Sequence, residues 1–238
     1  MRRLAAALVL LAVTGPPALG QAPYRVSWGD AVSVVAAGVA VLIPEATKLP
    51  KAAPSCGATA PCDPASLPGI DRVALHTFSG SAGTASTALL AGLVGFAGVA
   101  SLDGATPAQR RGHVAVLANS LAWTFAATEW MKVIVRRKRP VLYTAGATAA
   151  AGDPNSQRSF PSGHASVAFA TATTYLVMAQ RERLPHRGRN AALLYVGAIG
   201  VSALRVSAGK HFPTDVLGGA ALGAGIGWLV AKVHPTQP

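Results

Sequence analysis

Ser159-Phe160-Pro161-Ser162-Gly163-His164-Ala165-Ser166 stands directly before a run of helix formers, Ala165 to Met178, and the rest of the chain is placed by how this stretch is read. Ser162 reads as an N-cap, which puts Gly163 and His164 in the first helical turn. Backbone N–H groups there have no partner within the helix, and the helix dipole favours negative charge, so the turn is a ready-made anion site. A histidine held against a bound anion can give or take a proton near neutral pH. Over these few residues alone, an ordinary helix start with a surface histidine reads the same way.

Two further stretches separate the alternatives. Upstream, Lys132 and Arg139 are seven residues apart, and Pro140 follows to end the helix. Downstream, Arg205 is followed by His211 and, four residues later, by Asp215. The three stretches together resemble the K-x6-R-P, P-S-G-H and S-R-x5-H-x3-D motifs of the type 2 phosphatidic acid phosphatase superfamily. Order and spacing match throughout, except that Leu204 stands where the third motif has serine. Ser202 and Ser207 are the nearby hydroxyls that could replace it. The motifs cover residues 132–215, about a third of the chain.

Composition points to membrane helices. Charged residues are 13% and hydrophobic ones 51% of 238 residues, and the mean hydropathy is +0.38, too apolar for an ordinary soluble enzyme. The net charge of +12 suits anionic lipid and a phosphate-bearing substrate. Its cations are spread over loops without aromatic interleaving, so no nucleic-acid partner is expected, and nothing implies an obligate protein partner. Met1-Arg2-Arg3 and the apolar run Leu4 to Val13 form an export signal, residues 1–20. It is either cleaved after Gly20 or retained as an anchor, and leaves a phosphatase domain over 21–238. Cys56 and Cys62, in a Pro/Gly/Ala-rich loop, are expected to form a disulfide in an oxidising compartment.

The expected fold is all-α, a bundle of about five or six apolar helices embedded in a membrane. Residues 30–43 are apolar but short for a span, and read as an interfacial or packed helix. Residues 80–102 are long enough to cross. Thr106-Pro107 starts a helix that runs to about Val135, and 163–180, 190–208 and 215–233 give three more. Residues 140–160 read as a long loop without periodicity, of the kind that is usually functional or lid-like. The series Gly218, Gly219, Gly223, Gly225 and Gly227 suits close helix packing. Arg110-Arg111, Arg181 to Arg189 and Lys232 occupy alternate turns, which the positive-inside rule places in the cytoplasm. The motif-bearing ends then face the periplasm at the inner membrane. A soluble periplasmic protein is the alternative.

A phosphate dianion needs cationic clamps, and Lys132, Arg139 and Arg205 supply three. Ser162 and the Gly163 N–H can contact its remaining oxygens. The resemblance implies that His211 is a nucleophile forming a phosphohistidine, that Asp215 holds its other ring nitrogen, and that His164 protonates the leaving oxygen and then activates water. With side-chain cations in place and no carboxylate cluster in the sequence, no metal or other cofactor is expected. Glu129 reads as a helix-end charge and Asp153 as a loop acid. Arg136, Arg137 and Lys138 read as phosphate-proximal or lipid-facing, and Lys210 as an aid to anion attraction. His76, His113, His186 and His234 read as bystanders. The expected activity is hydrolysis of a phosphorylated lipid, phosphatidic acid-like or a polyprenyl diphosphate. A broad-specificity acid phosphatase acting on small phosphate esters and a vanadium-dependent haloperoxidase are the other classes consistent with the motifs.

Overall fold

The computed structural model describes residues 22–51 and 53–237; the expected export signal lies outside the described residues. Six long helices alternate in direction: α1 (Trp28–Ala46), α2 (Gly80–Leu102), α3 (Pro107–Val135), α5 (Gly163–Arg181), α6 (Arg187–Ser207) and α7 (Pro213–Val233). The short α4 (Ala147–Ala150) lies between α3 and α5. Four of the long helices, α1, α2, α6 and α7, are long and apolar enough to cross a membrane. No strand forms among the described residues; one isolated bridge, Tyr24 to Thr236, ties the segment before α1 to the end of α7.

Helix α5 is the axis of the bundle. Large exposed apolar side chains project from each of the other five, such as Val35, Val99, Ile134, Val196 and Leu217, and none from α5. Its polar residues are satisfied internally. Thr171 donates to the Val167 carbonyl at 2.8 Å, Thr174 pairs with Ser120 of α3 at 2.6 Å, and the Tyr175 hydroxyl accepts from Asn190 of α6 at 3.0 Å. An apolar exterior around a hydrogen-bonded interior is what a lipid environment selects.

Of the glycine series, only every fourth member makes the α5–α7 contact. A Cβ on Gly219, Gly223 or Gly227 would lie 2.6, 1.9 or 2.8 Å from the carbonyls of Ser162, Ser166 and Ala170, so the two backbones touch along three turns. Gly218 instead faces the Phe160 ring, and Gly225 faces open space. The consequence for the site is direct. With α7 laid against α5, the Ser162 N–H donates to the Asp215 carbonyl at 3.0 Å, and the starts of the two helices meet.

Residues 30–43 belong to a longer helix than their hydropathy suggested. Pro44 reads as a boundary, yet it sits inside the last turn of α1. A proline there leaves the carbonyl four residues back without its N–H, and the Trp130 indole donates to that carbonyl, Ala40, at 3.0 Å. Trp123 donates to Ser33 at 2.9 Å on the same interface, so two tryptophans of α3 fasten α1 along its length. Of the two readings, interfacial or packed, α1 takes the packed one, and at 19 residues it is also long and apolar enough to count among the candidate spans. Residues 140–160 are also more ordered than expected. They form 3-10 turns at Pro140–Tyr143 and Pro154–Gln157 around α4, and the loop packs under the disulfide-bonded Cys56 and Cys62, where the Cys62 N–H donates to the Leu142 carbonyl at 2.8 Å.

His113 is fully buried at the opposite end from the motifs. Its ring lies 2.6 Å from the Ser101 carbonyl and 2.8 Å from the Glu182 carboxylate, tying together α2, α3 and α5. It is a structural residue of the interior.

Candidate active site

The three motifs converge at one end of the bundle. Lys132 closes α3, Ser162 to His164 open α5, Arg205 closes α6, and His211 to Asp215 open α7. The segment after α3 pairs with the one before α5. Arg139 N–H donates to Ser156 at 2.7 Å and Ser159 N–H to Arg137 at 3.0 Å, which brings Arg139 to the mouth of α5. Lys132 is so close to the first turn of α5 that a Cβ on Gly163 would lie 3.3 Å from its ammonium nitrogen. Arg205, Lys132 and Arg139 all lie within electrostatic reach of the His164 ring, so the three clamp residues and this histidine gather at one end of the bundle. Gly209, at φ +62°, makes the turn between α6 and α7, and a Cβ there would strike the Thr77 carbonyl at 2.4 Å; only glycine fits.

Ser162 occupies the N-cap position, but its hydroxyl makes no cap bond. It belongs to a set of buried side-chain groups without a protein partner. Six of the eight such atoms among the described residues lie at this end of the bundle: Thr128 Oγ1, Ser156 Oγ, Ser162 Oγ and the Nε of Arg139, Arg158 and Arg205. Buried polar atoms are normally bonded. Concentrated here beside a helix N-terminus, these hydroxyls and guanidinium N–H groups are what an oxyanion ligand would satisfy.

The His211 imidazole is 2% exposed, and its Nδ1 lies 2.7 Å from the Ser159 carbonyl. A carbonyl only accepts, so Nδ1 carries the proton and Nε2 keeps its lone pair. Asp215 is 3.7 Å from Nδ1, beyond hydrogen-bond reach. The expected Asp215–His211 bond is thus corrected: Asp215 accepts instead from the Ser159 hydroxyl at 2.5 Å and the Phe212 N–H at 2.8 Å, and Ser159 contacts the histidine. Burial pushes the His211 imidazole down to about 4; the Asp215 contact opposes this and the Arg139 charge adds to it. His164 Nε2 is 3.0 Å from the Thr87 hydroxyl of α2.

Several residues read otherwise in the sequence belong to this site. Glu129 bonds Lys132 at 2.6 Å and also pairs with Arg158, whose second partner is Glu45 of α1 at 2.7 Å. Arg158 is 4% exposed and is a fourth cation at this end of the bundle, one that no motif marks. Arg137 faces neither phosphate nor lipid; it bridges Asp71 and Asp215. With leucine at 204, the hydroxyl that meets Arg205 comes from another helix: Arg205 donates to Ser86 of α2 at 3.3 Å, while Ser202 is spent on the Ala198 carbonyl. Asp153 caps the turn at Pro154–Gln157 and lies within electrostatic reach of Arg139. Lys138 bonds Ser55 at 2.9 Å, and Lys210 is exposed. Among the described residues no His/Cys/Asp/Glu group has the arrangement of a metal site.

Decaprenylphosphoryl-5-phosphoribose phosphatase of Mycobacterium tuberculosis is 35% identical to the chain over 136 residues, 57% of this chain and 70% of the relative, with the same figures in strains CDC 1551 / Oshkosh and ATCC 25618 / H37Rv. No solved structure gives a significant match. The PAP2 superfamily model matches residues 113–238, a segment that holds all three motifs and the helices carrying them, and the chain belongs to that superfamily.

Proposed function

We propose that this protein hydrolyses a phosphomonoester carried by a membrane lipid, through a phosphohistidine on His211. The observation that carries the reading is the cluster of buried, unpartnered hydroxyls and guanidinium N–H groups beside the first turn of α5. Lys132, Arg139, Arg205, Ser162 and the Gly163 N–H bind the phosphoryl oxygens. His211 Nε2 attacks phosphorus as the ester P–O bond breaks, and His164 delivers a proton to the leaving oxygen. Water then attacks the phosphohistidine and loses a proton to His164, the P–N bond breaks, and inorganic phosphate leaves. Four clamping and orienting cations, with Arg158 as the additional one, do the charge work.

The relative's substrate, a phosphate on a polyprenyl-linked sugar, and the apolar exterior support a substrate anchored in the bilayer with its phosphate at the motif end. In this reading the motif end faces the periplasm and the arginine-bearing turns face the cytoplasm. Because α1 counts as a crossing helix, residues 22–27 then begin on the cytoplasmic side. Phosphate release from a panel of polyprenyl-linked, diacylglycerol-linked and soluble phosphate esters, in detergent, tests the assignment. Turnover of lipid-linked monoesters well above soluble ones is expected. Equal turnover of all would point to a broad-specificity phosphatase, and vanadate-dependent halide oxidation to a haloperoxidase.

A further inference from the structure

The loop between the disulfide and α2 reaches the nucleophile from behind. Asp71, in the 3-10 turn Gly69–Leu75, is completely buried. Its carboxylate accepts from the Thr214 N–H at 3.0 Å, the Thr214 hydroxyl at 2.8 Å and Arg137 at 2.6 Å. Arg137 in turn donates to the Thr214 hydroxyl and to Asp215 Oδ1, both at 2.6 Å, with its guanidinium 4.6 Å above the Phe212 ring. Asp215 then takes the Ser159 hydroxyl, and the Ser159 carbonyl takes the His211 Nδ1–H. Every link from Asp71 to the imidazole is 3.0 Å or shorter. None of these bonds involves Lys132, Arg139 or Arg205.

We infer that Asp71 and Arg137 are positioning residues for His211, acting through Asp215 and Ser159, so that the loop before α2 is part of the catalytic apparatus. This rests on the reading of His211 as the nucleophile. Two carboxylates share one guanidinium behind the ring, which leaves one net negative charge there. When Nε2 bonds to phosphorus the ring becomes cationic, and that charge stabilises it as a triad carboxylate does. Replacing Asp71 by a neutral residue lets Arg137 engage Asp215 alone, and removes the excess charge. Asp71 precedes both the motifs and the segment matched by the superfamily, so neither points to it.

The test uses the full-length protein in detergent, an aryl phosphate as substrate and inorganic phosphate as competing ligand. Asp71→Asn is expected to lower kcat by about 10- to 100-fold, the same range as for residues that orient a metal-ligating histidine through its other ring nitrogen. KM and inhibition by inorganic phosphate should stay within about threefold, because the clamps are untouched. Thr214→Val, which keeps the backbone bond to Asp71 but loses the hydroxyl bridge, should shift kcat the same way by less, and decides the matter if Asp71→Asn does not fold. A purely structural loop contact would leave kcat of the folded protein at wild type, or move KM instead; either result overturns the inference. His211→Ala serves as the control. Turnover by that variant would overturn the nucleophile reading itself, whereas a silent His211→Ala beside wild-type-like Asp71→Asn and Thr214→Val would overturn the positioning role alone.

Discussion

His211 is the residue on which the chemistry turns, and its burial has a measurable consequence. A histidine near its ordinary value would be substantially protonated at pH 6 and useless as a nucleophile. Burial holds this one down to about 4, so the ring stays neutral through the mildly acidic range. Nitrogen NMR of the labelled ring in the free enzyme should show no protonation between about pH 8 and pH 5, and protonation centred near the ordinary value would contradict the buried site. The same shift is a stability term. The unfolded chain takes up the proton first as pH falls, so the contribution is intact above the ordinary histidine value and is lost progressively from there toward pH 4. Ser162 gives a second residue-scale prediction. Its hydroxyl bonds nothing in the protein, so Ser162→Ala should leave thermal stability unchanged and cost about tenfold in kcat/KM, one charge-assisted hydrogen bond to substrate. A drop in melting temperature with unchanged kcat/KM would mean the hydroxyl is structural.

At the scale of elements, the site is precise because two helix starts are pressed together by glycine. A methyl group at Gly223 would lie 1.9 Å from the Ser166 carbonyl, whereas one at Gly225 would meet nothing. Gly223→Ala should therefore destabilise the protein by about 1–3 kcal/mol in detergent unfolding, as overpacking does, and reduce activity although it is remote from the motifs. Gly225→Ala should be silent in both, and equal behaviour of the two would refute the packing argument. The motif residues were legible because each sits at a helix terminus, where a cap residue, a proline and fixed local spacing mark the position. Asp71, Ser86, Thr87 and Arg158 were not, since they arrive through tertiary contacts that leave no local pattern; Arg137 touches Asp71 across 66 residues. Helix α1 was read short because Pro44 ordinarily ends a helix, and the indole of Trp130 that compensates for it lies 90 residues away.

For the whole molecule, the alternation of six helices puts every motif at one end and the arginine-rich turns at the other. The all-α class and the membrane character followed from hydropathy and charge; the central place of α5 did not, because its serines and threonines lower its hydropathy although most of its residues are buried. Orientation is open to a direct check. In a protein lacking Cys56 and Cys62, single cysteines can be placed at Ala149, exposed at the motif end, and at Gly188, exposed at the other. A membrane-impermeant thiol reagent should modify the first but not the second in intact spheroplasts. The reverse pattern would put the reaction in the cytoplasm, and labelling of both in a protein that washes off membranes would favour a soluble enzyme. Activity is also expected to survive chelators and to be inhibited by vanadate, a phosphate mimic. Loss in EDTA that a divalent cation restores would point to a metallophosphatase.

The most direct test of the mechanism is to trap the covalent intermediate. His164→Ala should still accept a phosphoryl group from an aryl phosphate, whose leaving group needs no acid, but should hydrolyse it slowly. Alkaline quench followed by peptide mass spectrometry should then find the phosphoryl group on His211, and on no residue when His211→Ala is added. Undiminished turnover by His211→Ala, or a phosphoryl group on another side chain, would contradict the account.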